Sequence, residues 1–424
     1  PPSQLFSLFH ATHMQPNCGT SDGCRYGSKS HNKQFQRRWT VYDVSVSVLT
    51  SLMILLIYVS WSTSTMSTTS HTRSLSSPLS PAQSRRIFVD ASYTIPTGGP
   101  EALLQLTLVF NKLFPQQTYI IPYREDIASS WNVLSDTFKY TVSGKSHFSE
   151  FTLHPQFKSE YPLASQIPIG HLPDIVAGDI LILPEIFPCP KTLVAKGILV
   201  YIWILGANQQ KMTQLVRSGE CSLLSHNYWL SQNMGAHIPA SSILRPYLSP
   251  SLLPHTPLLH SLALKEDFIL IDNDTPSTVV ETIFTFCVEF PCTPVVAKGF
   301  TRPHLLGLYA RAKVVVDWCM RGSERMPIEA VVHGAILISS SCGCIQDHRD
   351  FPIPPRNIIP QGAEAEHKLL LKSTLARVLR GYYGEELEAY AGMRELYGRN
   401  LTVQSLEEEV RVWYEGDTQL HSHL

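Results

Sequence analysis

From Arg85 onward the apolar positions alternate between two textures. Short β-branched runs such as "RIFVDAS" (Arg85–Ser92), "TYIIPY" (Thr118–Tyr123), "IVAGDILILPE" (Ile175–Glu185) and "ILVYIWIL" (Ile198–Leu205) are apolar without alternation. That pattern suits strands buried on both faces of a parallel sheet. Between the first two, "GGPEALLQLTLVFNKLF" repeats Leu103, Leu104, Leu106, Val109 and Phe110 at helical spacing, which predicts a helix entered through Gly98 and Gly99. The stretch from Glu125 to Pro173 is polar, aromatic and irregular, and reads as a long insertion.

The rhythm breaks at "LRPYLSPSLLPHTPLL" (Leu244–Leu259), which is rich in Pro and Ser. It restarts with "DFILID" (Asp267–Asp272), a helical "TVVETIFTFC", "TPVVAKGF", a helical "RPHLLGLYARA", "KVVVDW" and "GAILIS", and closes with two helical segments. Two successive runs of strands and helices predict an α/β chain of two Rossmann-like, doubly wound domains, 85–248 and 249–424, facing each other across a cleft. Within the second run, Lys313–Trp318 reads as a strand, "CMRGSER" as a turn, and Met326 onward as a helix with Pro327 at its first position.

The first eighty residues are of another material. Val44–Trp61 carries no charge over 18 residues, near the lower limit for crossing a bilayer. Lys33, Arg37 and Arg38 precede it, and a Ser/Thr/Pro-rich stretch without acids follows. The positive-inside rule then predicts a cytosolic tail (1–43), a membrane-spanning signal anchor (44–61) and a stem (62–84). The protein would be a single-pass type II membrane protein of the Golgi or another secretory compartment. A cleaved signal or an organellar targeting peptide is the alternative. In a lumen, the sequons at Asn273 and Asn400 would be open to glycosylation.

Composition changes the picture little. The formal net charge is −1, so nothing attracts nucleic acid in bulk, and an anionic ligand must be met by local Arg or Lys. Nine Cys occur without a C-x-x-C pair, which argues against structural zinc. Cys287 and Cys292 are placed to bridge in an oxidising compartment but are read here as two buried free thiols. Asp272 and Asp274 form an acid pair lacking a third ligand, so no metal is expected. Asp317 reads as a turn-capping residue at a strand end, and none of the 17 His stands out as a base.

The residues "AKVVVDWCMRGSERMPIEAVVHGAILISSSCG" with the later "DFPIP", together with "PTGGPEALLQL" and "LILPEIFP", resemble GT-B glycosyltransferases, in particular a group carrying an Asp, a Gly-x-(Glu/Asp)-Arg-x-Pro turn and Glu-Ala. The resemblance covers patches from Arg85 to about Pro354. It implies a GT-B fold and transfer of a sugar from a nucleotide-diphosphate donor to a glycan, lipid or protein acceptor, with no cofactor and no metal. By the resemblance Glu329 meets the ribose hydroxyls, the alternative being a capping Glu. Arg302, Arg325, Arg321 and Lys298 are candidates for the diphosphate. Gly322 and Glu324 belong to the same turn, and Gly98, Gly99 and Glu101 form the loop for diphosphate or acceptor. The family's first Glu falls on Arg321 here, with Glu324 three residues on, so the turn is read as rebuilt around a Glu324–Arg325 ion pair. That departure supports the alternative of a non-catalytic, GT-B-like protein that binds a glycan or a partner.

Overall fold

The structure, a computed structural model, describes residues 85–91, 98–122, 153–187, 189–206, 221–233, 238–254, 262–322, 324–362 and 364–421. All lie in one compact unit, Ser80–Leu424. The apolar segment Val44–Trp61 and its flanks fall outside the described residues, among which no helix is long and apolar enough to cross a membrane.

The first half contains β1 (Ile87–Ala91), α1 (Gly98–Leu113), β2 (Thr118–Pro122), α2 (Pro155–Glu160), β3 (Ile180–Pro184), β4 (Leu199–Ile204), β5 (Ser222–Ser225) and α3 (Tyr228–Asn233). Its strands form one parallel sheet in the order β2-β1-β3-β4-β5. The second half contains β6 (Glu266–Asp272), α4 (Ser277–Glu289), β7 (Thr293–Ala297), α5 (Arg302–Arg311), β8 (Ala312–Val316), α6 (Arg325–Val332), β9 (Ile336–Ser340), β10 (Ile358–Ile359), α7 (Glu364–Gly381) and α8 (Val403–His421). Its parallel sheet runs β10-β9-β8-β6-β7. Both sheets therefore have the doubly wound 2-1-3-4-5 order, as the two runs in the sequence predict. Strand β3 begins only at Ile180, because 175–179 is a turn. Strand β5, "SLLS", escaped the sequence reading because it is short and half polar.

Period-two alternation sends Ile180 and Ile182 to one face of the first sheet and Leu181 and Leu183 to the other, all at most 1% exposed. The first face is covered by α1 and by α8. Leu406, Val410, Trp413 and Tyr414 of α8 pack there, with Trp413 edge-on to Phe110 at 5.7 Å and to Tyr201 at 5.1 Å. Ion pairs Arg85–Asp417, Arg245–Glu409 and Lys112–Glu407 fasten the same helix. The sequence reading placed this helix with the second domain (249–424). Its apolar face belongs instead to the first core, a pairing between chain ends that local periodicity cannot carry.

Among the described residues three disulfides join Cys189–Cys221, Cys287–Cys292 and Cys319–Cys342, leaving Cys344 buried and free. This corrects the reading of Cys287 and Cys292 as free thiols. The end of α4 and the start of β7 bring their Cα atoms to 4.9 Å, within bridging range.

Candidate functional site

Several of the sequence-predicted residues meet where α1, α5 and α6 converge. Glu101, in the first turn of α1, is fully buried. Its Oε2 accepts from Arg302 Nη2, at the start of α5, and stands 2.8 Å from Arg325 Nη1, at the start of α6. Its Oε1 accepts from the Tyr161 hydroxyl at 2.5 Å, and that hydroxyl in turn accepts from Gln105. Arg302 also pairs with Glu160 at 2.6 Å, and Arg325 donates to Glu329 at 3.0 Å, one turn along its own helix. Tyr309 contributes a hydroxyl to Glu329. Burial pushes the Glu101 carboxyl up, but the charges of Arg325 and Arg302 outweigh it and hold the group below its ordinary value.

Each member is placed by its local sequence. Pro100 and Glu101 suit a first helical turn, where N–H groups lack intrahelical partners and an acid meets the positive end of the dipole. A Cβ at Gly98 would come within 3.2 Å of the Arg325 stem, so the helix start and this side chain are in close contact. Helix α6 starts at Arg325, so Pro327 stands third rather than first, still within the turn whose N–H groups go unused. Gly322 forms a bridge with Gly206 of the first half, and a Cβ at 322 would strike the Leu205 carbonyl. Arg325 pairs with Glu101 and Glu329, which corrects the expected Glu324–Arg325 pair. The Glu324 carboxylate accepts the Arg321 and Gly322 N–H groups instead.

Beside this network lies a shallow cleft, lined among others by Gly98, Gly99, Leu205, Tyr247, Arg325 and Tyr397. Arg325 Nη2 is buried and has no hydrogen-bond partner among the described residues. A buried N–H without an acceptor costs about 1–3 kcal/mol, so this guanidinium group keeps one unmet donor in a residue that lines the cleft. Arg302 and Arg325 face Glu101, Glu160 and Glu329, a formal sum of −1, so they offer directed N–H groups and no net positive charge. Glu329, 4% exposed, is engaged by Arg325 and Tyr309. Lys298 and Arg321 are exposed, on the turns after β7 and β8, and neither joins the network.

The sequence reading missed Glu160, Tyr161 and Gln105. The first two sit in the irregular insertion, which gave no signal, and Gln105 was hidden inside an apolar helix face. It also missed what Asp317 does. Asp272, Asp274 and Asp317 each bring a carboxylate oxygen within 4.8 Å of the others, so the acid pair that lacked a third member has one. At an effective dielectric of ~20, two ionised groups so placed repel by roughly 3 kcal/mol. Burial, then the neighbouring acids, push Asp317 up to about 9 and Asp272 up to about 7.

The described architecture, two Rossmann-like halves in one chain, is the one expected of a GT-B fold. No protein-family model matches the chain, and no curated protein matches it in sequence. Among solved structures, it is similar to sucrose-phosphate synthase from Thermosynechococcus elongatus, at 11% identity and a TM-score of 0.48, over 80% of this chain and 100% of that one. It is also similar to a pneumococcal O-GlcNAc transferase, GtfA, solved with UDP and GlcNAc, at 11% identity and a TM-score of 0.40, over 62% of this chain. The chain spans 60% of the length of that transferase. A third likeness is AviGT4, a glycosyltransferase of avilamycin A biosynthesis, at 13% identity and a TM-score of 0.36, over 74% of this chain and 98% of that one.

Proposed function

We propose that this protein is a GT-B-type glycosyltransferase that moves a sugar from a nucleotide-diphosphate donor to a glycan, lipid or protein acceptor. The observation that carries the reading is the cleft where the amino end of α1, with Gly98 and Gly99, meets Arg325 and its unpartnered Nη2. Helix N-termini and guanidinium N–H groups are the donors that a diphosphate oxygen needs. In transfer they would stabilise the charge that builds on the leaving nucleoside diphosphate. The ion pairs to Glu101 and Glu329 would hold Arg325 in place for this and cost no reorganisation at the moment of reaction. The three disulfides support an oxidising compartment, in keeping with the Golgi or another secretory location and a membrane anchor at Val44–Trp61.

The neutralisation of both arginines by three carboxylates favours a second reading, a non-catalytic protein of the same architecture that binds a glycan or a partner. Incubating the purified full chain with a panel of nucleotide sugars and measuring nucleoside diphosphate release separates the two. The first reading expects release from at least one donor, reduced by Arg325→Ala; the second expects none.

A further inference from the structure

One group of side chains has no part in the network or its cleft. Asp272 ends β6, Asp274 lies on the turn that follows, and Asp317 comes directly after β8. Strands β6 and β8 are paired neighbours, and the chain leaves them in opposite directions across the sheet, β6 toward β7 and β8 toward β9. Such a reversal opens a crevice at the carboxyl ends of the strands, where open α/β sheets take their ligands. The three carboxylates converge there within 4.8 Å.

Asp317 is the buried member of the three. It is 1% exposed, and its Oδ2 is buried without a hydrogen-bond partner among the described residues. Buried carboxylate oxygens are ordinarily met by a donor or a cation. Here the electrostatic neighbours of Asp317 are acids: Asp272, Glu324 and Asp274. The Asn273 N–H donates to Asp272 Oδ1 at 2.8 Å, which orients that carboxylate. Arg321, exposed at the rim, partly offsets the charge of Glu324. The Cys319–Cys342 bridge ties the segment just beyond Asp317 to the loop after β9.

We infer that this crevice binds one hard divalent cation, Mg²⁺ or Mn²⁺, through Asp272, Asp274 and Asp317. An all-carboxylate set, with neither imidazole nor thiolate, selects hard ions. Three such ligands leave the remaining positions of an octahedral shell to water or a phosphate oxygen, which suits Mg²⁺ better than the larger shell of Ca²⁺. The site does not depend on the glycosyltransferase reading and is tested without any nucleotide.

The test is a titration of the full chain, stripped with a chelator, with Mn²⁺ alone, reading free Mn²⁺ by electron paramagnetic resonance. A single saturable site per chain, displaced by Mg²⁺, is expected. Asp317→Asn and Asp274→Asn should each weaken it by about 100-fold, the upper end of what losing even an outer-shell partner costs. Asp267→Asn, which removes an acid at the opposite end of β6, should leave it unchanged. Absence of saturable binding in the parent chain, or equal binding by Asp274→Asn, overturns the inference. The Asp274 variant changes an exposed side chain, so it decides the matter even if Asp317→Asn does not fold.

Discussion

Replacing Glu101 with Gln keeps the side chain's shape and removes its charge. In the parent protein the carboxylate is fully buried and lies 2.8 Å from both Arg302 and Arg325, with Tyr161 on its other oxygen. The variant leaves two guanidinium groups facing an amide that can accept at one oxygen only. Glu160 and Glu329 still hold one arginine each, so neither is stranded outright. Removing one partner of a buried pair costs about 3–5 kcal/mol, and the surviving pairs place this loss toward the lower end, about 3 kcal/mol. For a chain of this size, at about 2.1 cal/mol/K of unfolding entropy per residue, that corresponds to a fall in Tm of roughly 4 °C. Thermal and urea melts of parent and variant measure it. A double-mutant cycle with Arg302→Gln should recover at least about 1 kcal/mol of coupling. A loss below about 1 kcal/mol, or strict additivity in the cycle, would refute the view that Glu101 joins the two arginines.

Three further outcomes are expected. Trp413→Ala, which removes a side chain 3% exposed between Phe110 and Tyr201, should destabilise by about 3–5 kcal/mol in urea melts, although α8 lies at the far end of the chain from the core it covers. Gly322→Ala should cost about 1–3 kcal/mol by pushing the β8–α6 turn off the Leu205 carbonyl, and hydrogen exchange at Gly206 should rise with it. His226 is fully buried, its Nδ1–H donating to the Ile204 carbonyl and its Nε2 accepting from Asn227. Burial lowers its pKa to about 4, against 6.5 when exposed. The unfolded chain therefore takes up this proton first. The contribution is whole above pH 6.5 and about 3 kcal/mol of it is lost as pH falls to about 4. Urea midpoints between pH 4 and 7 should fall less steeply for His226→Asn than for the parent.

The strand–helix rhythm was readable because parallel strands buried on both faces leave uninterrupted apolar runs, as in Ile180–Leu183 and Val314–Val316. The site was readable in its parts and not in its wiring. Glu101, Arg302, Arg325 and Glu329 each stood out at a helix start or in a motif, but which acid meets which base depends on how α1, α5 and α6 converge. Residues of one helix face each other by spacing, as Arg325 and Glu329 do one turn apart. Residues 201 positions apart, as Glu101 and Arg302 are, carry no such signal. The same holds for Asp317, which looked like a capping residue until the β6–β8 pairing brought it to Asp272. It holds also for α8, whose amphipathic pattern announces a buried face without saying which sheet receives it.

The central claim is that the cleft at Gly98, Gly99 and Arg325 receives the diphosphate of a nucleotide sugar. Isothermal titration of the full chain with nucleoside diphosphates, repeated with Arg325→Ala, tests it most directly. The account predicts one saturable site for at least one nucleoside diphosphate, weakened in the variant by about 1.5–3 kcal/mol, the usual worth of a charge-assisted hydrogen bond. Affinity that is the same in a folded Arg325→Ala variant, or no binding to the parent chain by any nucleoside diphosphate, would contradict it.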